Sequence, residues 1–191
     1  MLITDSGIDF EQIDYLLDSM PVIVANEKRS GNAKTAGELC NKGYCSSKGM
    51  YYYGVKLHAF VQKQYQTLPK PFAVWVTPAA DADISAAKEN DDIISDINLF
   101  ADKAYIDKKW KAQLAAKNIS LVTPAKIKKG KTALEDGETL INSLISSIRQ
   151  PIESFFGWLH DKTHIQSASK VRSVNGLISF IFARLASIFL F

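Results

Sequence analysis

Three strand-forming segments precede the first helical one, and this order restricts the topology more than any other feature of the chain. Tyr15–Val24 (YLLDSMPVIV), Tyr51–Val61 (YYYGVKLHAFV) and Phe72–Thr77 (FAVWVT) are rich in β-branched, aliphatic and aromatic residues. Lys70-Pro71, just before the third, suits a hairpin turn. The pattern then changes. Asp81–Glu89 reads as a helix and Ile97–Ala101 (INLFA) as a short buried strand that ends on Asp102. Asp107–Lys117 reads as a lysine-rich helix and Ile119–Thr123 (ISLVT) as a fifth strand. A long helix is expected from about Glu138 to His160, where Pro151 predicts a kink, or a break followed by a new helix. A last, apolar helix is expected over roughly residues 170–190.

Consecutive strands with short connections form an antiparallel meander, whereas strands that alternate with helices add in parallel. The expected fold is therefore α/β: a ribonuclease H-like mixed five-stranded sheet with flanking helices and a C-terminal apolar helix. At 191 residues the chain reads as a single domain over 1–191. The segment of about residues 25–50 is read as a polar insert, mostly loop, since Ala25–Gly49 holds five lysines or arginines and four glycines.

An apolar fraction of 47% and a charged fraction of 23% exclude a disordered or collagen-like chain. The two cysteines, Cys40 and Cys45, are too few for a disulfide framework or a four-ligand zinc site. Acids arrive before the first lysine, Lys28, so no signal peptide is read and a cytoplasmic location is expected. Thirteen of the last eighteen residues are apolar, but Arg184 interrupts them, which favours a buried helix over a membrane anchor. The net charge of +3 by itself names no partner. Its distribution says more. Asp81–Asp102 holds seven acids and one lysine, and Lys103–Lys131 holds nine lysines and one aspartate. Such a sequence gathers carboxylates for a metal and lysines for phosphate, or forms two solvated faces.

The strand order brings particular acids together. Asp18 lies inside the first strand, an unfavourable place for a carboxylate, and Asp102 ends the fourth. In the expected sheet these strands are neighbours, and Glu153 lies on the long helix that packs across their ends. Three converging carboxylates repel one another unless a hard divalent cation offsets them. Taken singly, Asp18 also reads as an edge-strand residue, Asp102 as a helix cap and Glu153 as a helix-surface acid.

Five stretches in order then carry a family resemblance. They are LLDSMPV around Asp18, KGYCSSKGMYYYGVKLHAFV from Lys42 to Val61, VTPAADADI from Val76 to Ile84, FADKAYID around Asp102 and IRQPIESFFGWL around Glu153. Together they resemble the DDE transposases of bacterial insertion sequences over nearly the whole chain. The resemblance implies Asp18, Asp102 and Glu153 as catalytic residues that bind two Mg²⁺ ions, with Mn²⁺ as a substitute. It implies DNA cleavage and strand transfer at the element's terminal inverted repeats and into target DNA. It further implies a homodimer in the active complex, association with the nucleoid and no membrane partner.

Lys126, Lys128, Lys129 and Lys131 form a basic loop suited to DNA phosphates, which lysine contacts as a point charge. Arg149, one helical turn before Glu153, is a further expected DNA contact, as are Lys103 and Lys56. His58 reads equally as a DNA contact or as a hydrogen-bonded strand histidine, and Trp75, Trp110 and Trp158 read as core or rim. Two positions depart from the family pattern: Ser146 stands where many relatives have tyrosine, and His160 where many have lysine. The relatives also carry a helical DNA-binding region before the first aspartate, whereas seventeen residues precede Asp18 here. The expectation is a catalytic core that lacks its own sequence-reading unit. Two alternatives stay open: an inactive remnant that only binds DNA, and another ribonuclease H-like nuclease.

Overall fold

The structure is a computed structural model that describes residues 13–127, 130–131 and 133–190. Six strands form one mixed sheet: β1 (Ile13–Asn26), β2 (Asn41–Cys45), β3 (Met50–Gln62), β4 (Lys70–Pro78), β5 (Ile97–Ala101) and β6 (Ile119–Val122). They hydrogen-bond in the order β2-β3-β1-β5-β6, with β4 paired to β3. β2 and β3 run antiparallel, whereas β1, β5 and β6 run parallel. Five α-helices accompany them: α1 (Glu27–Ser30), α2 (Asp83–Lys88), α3 (Lys108–Ala115), α4 (Asp136–Thr163) and α5 (Val174–Ala186). This is the expected mixed α/β architecture, compatible with a ribonuclease H-like fold. Among the described residues no helix is long and apolar enough to cross a membrane.

Three expectations need correction, and one is narrowed. The sheet has six strands, not five, because the supposed loop of about residues 25–50 contains α1 and β2. NKGYC has little strand propensity of its own. It extends because each residue from Asn41 to Cys45 pairs with one from Gly54 to Met50, and because Gly43 lets the backbone lie against Ala79, where a Cβ would overlap the Ala79 carbonyl. The helix expected over Asp81–Glu89 is confined to Asp83–Lys88. Of the two outcomes expected at Pro151, the break is excluded, because α4 runs through it as one helix. A proline removes one helical hydrogen bond, and here buried Ile145, Arg149 and Ile152 hold the helix around the gap. Finally, the terminal helix is shorter than expected. α5 starts at Val174, capped by the Ser173 hydroxyl, and a 3₁₀ turn over Ser187–Leu190 follows its end.

The chain's contacts group into two compact units. One comprises the described part of Met1–Asp18 with Ala59–Ala73 and Asp83–Ser154. In it β5 is buried along its whole length between β1 and β6, as expected of a parallel strand covered on both faces. α3 packs on β6 through Trp110 and Leu114, and the Trp110 indole donates to Asp91 at 2.7 Å. Asp91 and Asp92 both pair with Lys117.

The other unit comprises Ser19–His58, Val74–Ala82 and Phe155–Phe191. The Ile23 and Ala168 main chains bond here, and Leu177, Ile181 and Leu185 bury one face of α5. His58 is fully buried, 2.8 Å from the Thr77 hydroxyl and stacked on Trp75. Of its two readings the structure supports the core histidine. Cys40 and Cys45 are buried free thiols, and burial pushes the Cys40 pKa up to about 11.

Candidate functional site

The site starts from the register of two parallel strands. Leu16 lies opposite Phe100 and Leu17 opposite Ala101, all four buried. The next residues on these neighbouring strands are Asp18 and Asp102. Parallel strands lie about 4.8 Å apart, so Asp18 inside β1 and Asp102 just beyond β5 are neighbours where that register is extended by one residue. The buried residues before them anchor the strands, and both carboxylates retain partial exposure.

Asp102 also shapes the backbone beyond it. Its Oδ1 accepts the Ala104 N–H and caps a 3₁₀ turn over Lys103–Tyr105. That turn drives Tyr105 into the interior, where the residue is 1% exposed and its hydroxyl has no hydrogen-bond partner. The phenol is held well above its ordinary pKa, first by burial and then by the negative charges of Asp18, Asp83 and Asp102, with Arg149 acting in the opposite sense. Three carboxylates and one guanidinium therefore act on a single buried phenol. Asp83 comes from the first turn of α2, which packs on the same 3₁₀ turn.

Arg149 projects from α4 and is 8% exposed. Its Nη2 donates to Asp18 Oδ2 at 3.0 Å, and its Nε is buried with no partner. Glu153 stands one turn further along the same helix and is exposed. Residues 9–174 match the family described as Transposase DDE domain.

The chain belongs to this DDE transposase family. Its broad function is accordingly of transposase type, and a transposase domain has DNA as its partner. Neither a curated protein nor a solved structure matches the chain.

Carboxylate oxygen is the ligand type that a hard divalent cation takes. Asp18, Asp83 and Asp102 act electrostatically on Tyr105 against the one guanidinium of Arg149, and the buried Tyr105 Oη and Arg149 Nε each lack a hydrogen-bond partner. Among the described residues, however, no three His, Cys, Asp or Glu side chains are gathered closely enough to hold a metal.

Lys126 and Lys103 are exposed, and Lys131 is exposed and paired with Glu135. Lys128 and Lys129 lie outside the described residues. Lys56 donates to the Asp81 carbonyl at 2.8 Å. The start of the basic loop is tied down by Asn142, whose side chain bonds both the N–H and the C=O of Ala125. Sequence reasoning missed Tyr105 and Asp83 as members of the site. Both lie in motifs already singled out, FADKAYID and VTPAADADI, but nothing in one dimension shows that they meet.

Proposed function

We propose that this chain is a DNA-cleaving and strand-transferring transposase whose Asp18, Asp102 and Glu153 carboxylates hold two Mg²⁺ ions, replaceable by Mn²⁺. The observation that carries this reading is the parallel register that sets Asp18 beside Asp102, with Arg149 bonded to Asp18 one turn before Glu153. Bound there, the ions would supply an activated oxygen nucleophile and stabilise the charge on the leaving oxygen of a phosphodiester.

The chain's own residues do the rest. Buried Leu16 and Leu17 within β1 and buried Phe100 and Ala101 at the end of β5 hold the backbone beside the two aspartates, so little reorganisation is needed. Arg149 orients the Asp18 carboxylate through a charge-assisted hydrogen bond. Lys126, Lys128, Lys129, Lys131, Lys103 and Lys56 supply point charges along the DNA backbone and set its position without reading sequence. The working form is a homodimer at paired terminal inverted repeats, in a cytoplasmic protein that meets the nucleoid through its DNA.

One observation favours the alternative of a DNA-binding protein without cleavage: Arg149 already neutralises Asp18, and no metal-holding cluster is closed among the described residues. Incubation with DNA that carries the element's terminal repeat, or a scrambled repeat, separates the two. Cleavage that requires Mg²⁺ or Mn²⁺ and is lost in Asp102→Asn, with DNA binding retained, supports the transposase. Binding without cleavage under every metal condition supports the alternative.

A further inference from the structure

The β2–β3 hairpin presents a surface that the carboxylate site does not use. Tyr44 lies directly opposite Tyr51, and Lys42 opposite Tyr53. Tyr44 is 52% exposed and Tyr51 48%, with ring centroids 5.0 Å apart and planes tilted by 58°. The Lys42 ammonium lies 4.8 Å from the centre of the Tyr51 ring.

The opposite face of the hairpin is fastened. Cys45, Tyr52 and Ala79 form a buried cluster, Gly43 lies against Ala79, and the Asn41 side chain accepts the Ala80 N–H at 2.7 Å. The outer tyrosines give a cross-strand contact but add nothing to that core. They form an aromatic ledge exposed to solvent. The segment around it is basic: Lys28, Arg29, Lys34, Lys42 and Lys48 are exposed, against exposed Glu27 and Glu38, a balance of 5 − 2 = +3.

Exposed aromatic rings interleaved with lysines match one ligand chemistry well. Bases of a single strand stack on such rings whatever their sequence, while the lysines follow the phosphates. A paired duplex hides its base faces and would use only the lysines. We infer that the Lys42–Tyr44–Tyr51 face of the hairpin stacks an unpaired base of a DNA strand. The inference rests on the DNA-acting reading above and names the place where a frayed or overhanging end is held.

The test uses the full chain without divalent metal, so that no cleavage intervenes. Fluorescence anisotropy compares a blunt duplex with the same duplex bearing a short single-stranded overhang. The wild type is expected to bind the overhang about tenfold more tightly, the order expected when a base stacks on an aromatic ring. Tyr44→Ala with Tyr51→Ala should lose that preference and still bind the blunt duplex. Tyr44→Phe with Tyr51→Phe should keep it, because stacking needs the ring and not the hydroxyl. 2-Aminopurine in the overhang should be quenched by the wild type, a reading that needs no variant to fold. Absence of both an overhang preference and quenching in the wild type overturns the inference, as does an unchanged preference in the double alanine variant. Metal-dependent cleavage alongside either result would sink the inference and leave the transposase reading standing. Failure of the wild type to bind either DNA would sink both.

Discussion

Arg149 Nη2 and Asp18 Oδ2 are 3.0 Å apart although 131 residues separate them in the chain. The arginine side chain is 9% exposed and the aspartate 22%. The pair thus ties the middle of α4 to the strand that carries the first candidate carboxylate. Truncation of one member of a buried pair leaves the other charge without its partner, which costs several kcal/mol when solvent is fully excluded. Asp18 keeps some water, so a smaller cost applies. Arg149→Met is expected to lower unfolding stability by about 2–3 kcal/mol. A urea titration of Arg149→Met, Asp18→Asn and the double variant reads the coupling directly. Additive effects would show that the ion pair contributes nothing.

The Tyr105 hydroxyl makes the opposite prediction. A buried hydroxyl without a hydrogen bond destabilises the fold, so its removal costs nothing. Tyr105→Phe should be as stable as the wild type, or more stable by about 1 kcal/mol. If the hydroxyl serves the neighbouring aspartates when a cation is bound, Tyr105→Phe should also weaken Mn²⁺ binding, measured by electron paramagnetic resonance. A marked loss of stability would mean that the hydroxyl has a structural partner.

Asp107 gives a pH-dependent expectation. Its carboxylate caps α3 by accepting the Trp110 N–H at 2.8 Å and also pairs with Lys88 at 2.9 Å. The Trp110 bond, then Lys88, hold its pKa below the ordinary aspartate value. A group whose pKa falls on folding contributes stability above its unfolded value, near pH 4, and loses that contribution as the pH drops through the lowered one. Asp107→Ala should therefore melt earlier than the wild type at pH 7. The gap should close as the pH falls below the ordinary aspartate range. A gap that is the same at both pH values would assign the effect to something other than the ionised cap.

Part of the candidate site is legible in the sequence. Asp18 stood out as an acid inside an apolar strand, Asp102 as the terminus of a buried one, and Glu153 by the motif around it. The order of strands and helices implied that β1 and β5 are neighbours, and they pair in parallel. Arg149 was legible as a residue but not in its contact, because a side chain on a helix can turn toward DNA or toward a strand, and only the packing of α4 decides. Tyr105 was hidden for a related reason. Its burial follows from a 3₁₀ turn that Asp102 caps, a local event with no periodic signature.

By itself the sequence determined the fold class, the positions of β1, β3, β5 and β6 within a few residues, and the pairing of the two aspartate-bearing strands. Those features rest on local patterns: runs of β-branched and aliphatic residues, their alternation with helices, and an acid inside one apolar strand and just past the end of another. Tertiary structure alone decided that NKGYC is a strand, that α4 continues through Pro151, and that Arg149 reaches Asp18. In each case the deciding contact comes from elsewhere in the fold. Gly43 needs the Ala79 backbone beside it, Pro151 needs buried neighbours on both sides, and a guanidinium needs a carboxylate brought to it from 131 residues away. Such contacts outweigh local propensity because the backbone and charged groups they engage are buried, where an unmet partner costs more than a poor helix or strand former.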